Sequence, residues 1–291
     1  MIKLFSKKKK SEEKRRATIA EDRKHILTPK SSFYIREAYK ALRTNVNFAL
    51  TDTEGCKVII VTSAMQSEGK SLTALNLAIS IAQTDANVLI IDCDLRRPKL
   101  HRLLDTKSEN GLSNLLMDPT KLDITMLKHE KYGLSYLLAG DIPPNPSELL
   151  ASARMQTLIA ELRTKYDYII VDTPPVDMVI DSVVLAPLTD GVLFVVKADQ
   201  SERGAVMHAL EQMEYAKAKV LGYVFNGMNP ESGSGYGKYR YSKYGRYGYG
   251  RYGYGKYGYG GYGYSRKGYG YGYESRHKSE AVKPVQPEQQ S

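Results

Sequence analysis

Val58-Ile59-Ile60-Val61-Thr62-Ser63-Ala64-Met65-Gln66-Ser67-Glu68-Gly69-Lys70-Ser71 decides how the chain is read. A β-branched run stops, a short polar loop follows, and Gly69-Lys70-Ser71 opens an apolar-periodic segment predicted as a helix from about Leu72 to Gln83. Strand, loop and helix in that order are the context a phosphate-binding loop requires. Amides at a helix start have no helical acceptor and lie at the positive end of the dipole, so they can wrap a polyphosphate. Gly69 admits the close approach because it has no Cβ. Lys70 supplies a point charge for the β- and γ-phosphates, and the Ser71 hydroxyl a position on Mg²⁺. The nucleotide-binding candidates are therefore Gln66, Ser67, Glu68, Gly69, Lys70, Ser71 and Leu72. The pattern is G-x-x-x-x-G-K-[ST] with Ala64 in place of the first Gly. An ordinary strand–helix turn also yields Gly-Lys-Ser by chance, so the loop points to a nucleotide but not yet to a reaction.

Outward from this loop, further buried strands are expected at Val88–Ile91, Ile169–Val171, Val192–Val196 and Val220–Phe225, beside Val58–Val61. They are continuous β-branched runs separated by helical stretches, the signature of a mostly parallel α/β sheet with helices on both faces. Gly111–Met117 and Ser147–Lys165 read as helices; Pro143-Pro144-Asn145-Pro146 reads as a rigid loop before the second, with Ser147 its N-cap. Ser32 to Leu50 also reads as a helix, with Phe33, Ile35, Ala38, Leu42, Val46 and Ala49 along one side. Glu37, Lys40 and Arg43 form a stripe on it, which by itself is a solvated face with an ion pair worth about 0.2–0.5 kcal/mol.

Two acidic stretches complete a nucleotide site. Leu89-Ile90-Ile91 runs into Asp92-Cys93-Asp94-Leu95-Arg96, and Ile169-Ile170-Val171 into Asp172-Thr173-Pro174-Pro175. Both put carboxylates at the C-terminal end of a buried strand, where open α/β sheets bind ligands. Three acids near Ser71 require a cation among them, and Mg²⁺ on ATP phosphates is the obvious one. Either acid alone could equally cap the turn that follows it. Arg96 and Arg97 either support the neighbouring charge or form a surface ion pair.

The chain ends differ from this core. The formal net charge of +10 is unevenly spread over the 291 residues. Lys7 to Lys10 and Lys14-Arg15-Arg16 repel one another, so residues 1–30 are expected to be a disordered basic tail, either merely solvated or weakly drawn to anionic lipid. The first apolar stretch is too short for a signal peptide, and no run approaches the ~20 apolar residues of a membrane span. Membrane association is thus expected to be peripheral or through a partner. Cys56 and Cys93 suggest neither a metal pattern nor a disulfide framework and read as small buried side chains in a reducing cytoplasm. From Gly233, Tyr, Gly and basic residues alternate, and 15 of the 23 tyrosines lie between Tyr236 and Tyr273. Without Val, Ile or Leu that segment cannot offset its ordering entropy and is expected to be disordered. The expected organisation is 1–30 tail, 31–50 interface helix, 51–230 P-loop domain and 231–291 tyrosine-rich tail.

Together these residues resemble a known family, the bacterial protein-tyrosine kinases of polysaccharide export systems (BY-kinases). Ala64–Ser71 resembles their Walker A, Ile90–Arg96 their Walker A′ (three apolar residues, then D-x-D-x-R) and Ile169–Pro175 their Walker B. Pro144–Leu150 also resembles a segment common in the family. The resemblance implies a MinD/ParA-like P-loop NTPase fold and transfer of the ATP γ-phosphate to tyrosine, with Mg²⁺ as cofactor. Lys70, Asp92, Asp94 and Asp172 are then catalytic, with Ser71, Asp94 and Asp172 at the metal directly or through water. Asp92 is the candidate to orient the tyrosine or accept its proton, although the roles of Asp92 and Asp94 stay open. Asn226 is either an adenine contact or a turn residue.

The tail then resembles the family's autophosphorylation cluster, used in trans: Tyr236, Tyr239, Tyr241, Tyr244, Tyr247, Tyr249, Tyr252, Tyr254, Tyr257, Tyr259, Tyr262, Tyr264, Tyr269, Tyr271 and Tyr273. Glu37-x-x-Lys40-x-x-Arg43 stands where the family has E-x-x-R-x-x-R, implying a homo-oligomeric ring with one Arg fork replaced by Lys. The implied partners are a membrane-embedded polysaccharide co-polymerase that activates the kinase, tyrosine-bearing protein substrates and a phosphotyrosine phosphatase. The implied setting is the cytoplasmic face of the membrane, with a role in capsule or exopolysaccharide assembly. The sequence carries no sensor region spanning the membrane, which resembles the split type with a separate activator.

Two other readings compete. MinD- and ParA-like ATPases share the fold but usually carry a second lysine five residues before the Walker lysine, where this chain has Met65. A Tyr/Gly/Arg tail could instead stack and attract nucleic acid, which is the less expected partner.

Overall fold

The computed structural model describes residues 19–118, 128–129 and 132–228. The tyrosine cluster, the lysine-rich start and the expectations of disorder placed on them lie outside these residues.

Seven strands form one sheet: β1 (Lys57–Ser63), β2 (Val88–Asp92), β3 (Lys128–His129), β4 (Leu134–Leu137), β5 (Tyr168–Asp172), β6 (Gly191–Lys197) and β7 (Val220–Asn226). Their order is β3-β4-β2-β5-β1-β6-β7, parallel throughout except that β3 runs against β4. All five expected strands are present, each extended by one to three residues at its ends. The strand Leu134-Ser135-Tyr136-Leu137 was not expected, because it is short and lacks a β-branched run.

The β-branched runs are explained by burial on both faces. Along β1, Val58 and Ile60 enter one core, while Ile59 and Val61 enter the other. The first core is closed by the helices α4 (Leu112–Met117), α5 (Pro146–Leu150), α6 (Ala153–Arg163), α7 (Asp181–Leu185) and α8 (Arg203–Tyr215). The second is closed by α1 (Phe33–Ala49), α2 (Lys70–Ala82) and α3 (Leu100–Leu103). Among the described residues no helix is long and apolar enough to cross a membrane.

Three expectations change. The helix expected over Ser147–Lys165 is broken into α5 and α6. Pro146 occupies the first turn of α5, and Ser152 caps α6 by accepting from the Met155 amide. Ser147 is therefore not an N-cap; its hydroxyl serves another purpose, described below. On α1, Ser32 is the N-cap, but Phe33 is 63% exposed and the buried side is Ile35, Tyr39, Leu42 and Val46, leading to Leu50.

The largest change is at the N-terminal boundary. The tail expected through residue 30 gives way to docked chain well before it. Ile26 and Leu27 are buried, the Leu27 amide donates to Asn76 Oδ1 (2.7 Å), and Asn76 Nδ2 donates to the His25 carbonyl (3.0 Å). Arg23 reaches the Arg102 carbonyl (2.6 Å) and Asp105 (2.7 Å). Two apolar residues among many charges escaped the periodicity reading, yet one buried amide side chain on α2 suffices to seat them. Leu27→Ala should cost about 2–4 kcal/mol in urea unfolding, whereas Phe33→Ala should stay within about 0.5 kcal/mol; equal effects would contradict the docking.

Candidate active site

The order β2-β5-β1 at the centre of the sheet brings the three motif-bearing strand ends side by side. Asp92 and Asp172 are Cα partners on adjacent strands, and Asp172 is also in register with Val61. The loop Ser63–Gly69 leaves β1 and enters α2 through Gly69, whose φ is +92°. A Cβ at Gly69 would lie 2.0 Å from Asn226 Nδ2, so conformation and space both demand glycine.

Lys70 is the electrostatic hub. Its Nζ lies 3.1 Å from Asp94 Oδ2, and 3.5 Å from both Asp172 Oδ1 and Ser71 Oγ. Lys70, Asp92, Asp94 and Asp172 are all buried. Burial alone would lower the proton affinity of Lys70, but Asp172 and Asp94 outweigh it and the ammonium is held charged. Burial raises the pKa of Asp172, against the pull of Lys70 and the nearby Ser71 hydroxyl. Asp92 is pushed well above the usual carboxylate range by burial and then by Asp172 and Asp94.

Asp92 does not face the lysine as the other two acids do. Its Oδ1 accepts from the Asp94 amide (3.2 Å), and its Oδ2 from the amides of Lys99 (3.2 Å) and Leu100 (3.0 Å). These contacts fit the alternative left open in the sequence, a cap of the turn that follows: Asp92 accepts from the Asp94 amide of that turn and from the amides where α3 begins. Asp94 is shared between Lys70 and the Arg97 amide, which donates to its Oδ1 (3.0 Å).

The phosphate loop is restrained from outside. Its oxygens are engaged by Asn226 Nδ2 to Glu68 O (2.9 Å), Lys197 Nζ to Ser67 O (3.4 Å) and Gln200 Nε2 to Gln66 O (3.4 Å). Glu68 turns back, accepting from the Met65 amide (2.8 Å) and the Ser201 hydroxyl. Among the described residues no main-chain carbonyl accepts from the amides of Gln66 to Gly69, so these N–H groups are free for an anion. Asn226 sits on this loop rather than in an isolated turn. Lys197, Gln200 and Ser201 were missed in the sequence, where nothing local marks the loop after β6 as a phosphate-loop support.

The geometry fits a phosphate-bound cation. Asp172 Oδ2 is buried without a hydrogen-bond partner, which is costly unless a cation or water completes it. Two buried carboxylates, Asp94 and Asp172, lie within 3.5 Å of one buried lysine, leaving negative charge to be met. Among the described residues no cluster of three or more His, Cys, Asp or Glu could hold a metal alone. That suits Mg²⁺, which typically takes one or two carboxylates and completes its shell with water and substrate phosphates. Ser71, Asp94 and Asp172 all lie within 3.5 Å of Lys70 Nζ.

Glu37, Lys40 and Arg43 have different partners within the chain. Glu37 and Lys40 pair with each other at 2.7 Å on the surface, while Arg43 turns inward to the Ser80 carbonyl of α2. Arg96 likewise departs from a simple surface pair, because its partner Asp181 is fully buried.

Comparison with known proteins supplies the context. A family model described as ParA, NUBPL iron-transfer P-loop NTPase, matches residues 55–234. Tyrosine-protein kinase YwqD of Bacillus subtilis (strain 168) is 37% identical over 203 residues, 70% of this chain and 85% of that protein. The solved kinase domain of Escherichia coli tyrosine kinase ETK superposes with a TM-score of 0.63 at 36% identity, covering 67% of this chain and 76% of that one. The chimerical protein CapA2B2 superposes with a TM-score of 0.64 at 35% identity, covering 69% and 87%.

Gly69→Ala should reduce Mg-nucleotide affinity at least about tenfold, because it strains φ and drives the loop against Asn226. Calorimetric titration with Mg-ADP reads this; binding like wild type would mean the loop does not hold the phosphates.

Proposed function

The chain belongs to the bacterial tyrosine-protein kinases, built on the ParA-like P-loop fold, and from that premise we propose which groups act and on what. Lys70 and the amides of Gln66 to Ser71 hold the triphosphate of ATP, Leu72 continues their helix, and Asn226 supports the loop from the adenine side. Ser71, Asp94 and Asp172 hold Mg²⁺, directly or through water. When bound, the metal neutralises phosphate charge. The observation that carries this reading is the Lys70 ammonium between Asp94 (3.1 Å) and Asp172 (3.5 Å), beside an unpartnered Asp172 oxygen.

In the transfer, the tyrosine oxygen forms a bond to the γ-phosphorus as the bond from that phosphorus to the β–γ bridging oxygen breaks, and ADP leaves. Little covalent help is needed; positioning and charge neutralisation do most of the work. The phenol proton must go to a base. Asp92 is assigned to orient or accept it, and its three amide bonds support the orienting role.

The phosphoacceptors are the tyrosines from Tyr236 to Tyr273, presented to a neighbouring subunit. Their interspersed Lys and Arg residues (Lys238, Arg240, Lys243, Arg246 and onward) suit a site of phosphates and carboxylates. Each phosphorylation adds about −1.5 to −2 charge, so several reverse the charge of the cluster and loosen subunit contacts, cycling a ring in which Glu37, Lys40 and Arg43 take part. A membrane-embedded co-polymerase recruits the kinase to the inner face of the membrane and activates it, and a phosphatase resets it, in control of capsule or exopolysaccharide assembly. These steps rest on the family resemblance. A partitioning ATPase of the same fold is the second reading; the kinase relatives at 35–37% identity weigh against it.

Incubation with Mg-ATP and an activator fragment should give an anti-phosphotyrosine signal that falls at least about 100-fold in Lys70→Met. No signal from the wild type would end the proposal. In solution sizing, unphosphorylated Lys70→Met should form larger assemblies than phosphorylated wild type; equal sizes would remove the charge-reversal step.

A further inference from the structure

Arg96, Asp181 and Ser147 come from three separate segments: the loop after β2, the start of α7 and the first turn of α5. Arg96 Nε donates to Asp181 Oδ2 (2.9 Å) and its Nη2 to Asp181 Oδ1 (3.2 Å), a two-pronged pair. The Ser147 hydroxyl donates to Asp181 Oδ1 (2.6 Å) and accepts from Arg96 Nη2 (2.8 Å). Asp181 is 0% exposed, so its charge depends on this guanidinium and hydroxyl. Among the described residues none of the three hydrogen-bonds to Lys70 or to the phosphate loop.

Their connections lead to the metal-facing acids. Only Leu95, itself fully buried, separates Arg96 from Asp94. On the other side, the segment from Asp172 to Asp181 is held at Pro174, whose carbonyl accepts from Thr62 Oγ1 (2.9 Å) and Ser182 Oγ (2.8 Å). Arg96 is thus two residues from Asp94, and Asp181 is tied through its neighbour Ser182 to Pro174, two residues from Asp172. We propose that Arg96, Asp181 and Ser147 form a positioning clamp that sets the separation of Asp94 and Asp172, and with it the affinity of the nucleotide site for Mg²⁺. This rests on the nucleotide-site reading above. The residues are positioning groups that reach the metal only through the two acids, as outer partners of ligands commonly do.

The test uses the full chain carrying Arg96→Lys, Ser147→Ala or Asp181→Asn, and titrates Mg²⁺ against binding of a fluorescent ADP analogue. Lys keeps the charge but loses the fork. Arg96→Lys should raise the Mg²⁺ concentration for half-maximal binding about tenfold, with metal-free ADP affinity unchanged. Ser147→Ala should move it less, in the same direction. A purely structural role would lower the unfolding midpoint and leave the Mg²⁺ curve in place, which overturns the clamp. Should Asp181→Asn not fold, the half-exposed Arg96→Lys carries the measurement. A normal wild-type curve beside unmoved variants overturns the clamp alone, whereas wild-type binding indifferent to Mg²⁺ overturns it together with the nucleotide-site reading.

Discussion

One buried ammonium among buried carboxylates is the constraint from which the rest of this structure follows. Lys70 sits within 3.5 Å of Asp94 and Asp172, with Asp92 behind them. Removing such charges from water costs far more than any single contact returns, so a fold keeps them only where the geometry compensates and function requires it. Here the compensation is incomplete: an oxygen of Asp172 has no partner, and the negative charge exceeds the positive. A site left short of one cation is one that a cation would complete.

The sheet makes this arrangement cheap to specify. Parallel strands end on the same side, and the order β2-β5-β1 sets three motif-bearing ends next to one another. Register then places Asp92 opposite Asp172 without any loop having to find the position. Buried runs on both faces fix that register, because a one-residue slip would exchange the two cores along β1. The acids are therefore held by strands, and only the phosphate loop needs separate support.

Much of this was legible in the chain. The β-branched runs gave the central strands, and D-x-D-x-R and D-x-x-P gave the acids, since a strand end is a local feature. What escaped was long-range. The docking of Ile26 and Leu27 depends on Asn76, some fifty residues on (|i−j| = 49 for the Leu27 bond). Ser147 looked like a helix cap because Ser is a favoured N-cap and stands between a proline cluster and a helical stretch, yet its hydroxyl is taken by Asp181, 34 residues away. Asp181 itself carries no local signal. The stripe Glu37, Lys40, Arg43 was right as helical spacing, but spacing does not tell that Arg43 would turn to Ser80.

The outer supports of the phosphate loop engage its carbonyl side. A peptide group presents its oxygen and its N–H in opposite directions, so engaging the oxygens orients the donors. Asn226, Lys197 and Gln200 take the carbonyls of Glu68, Ser67 and Gln66 in turn. All three lie at or beyond the ends of β6 and β7, on the far side of the loop from the acids. The loop is thus held between two differently charged walls. The donors on one wall fix its oxygens, and the acids and lysine on the other face the space its amides leave for phosphate. Such a cradle is organised before the ligand arrives, which is the condition for electrostatic stabilisation to act on the transition state without reorganisation at the moment of transfer.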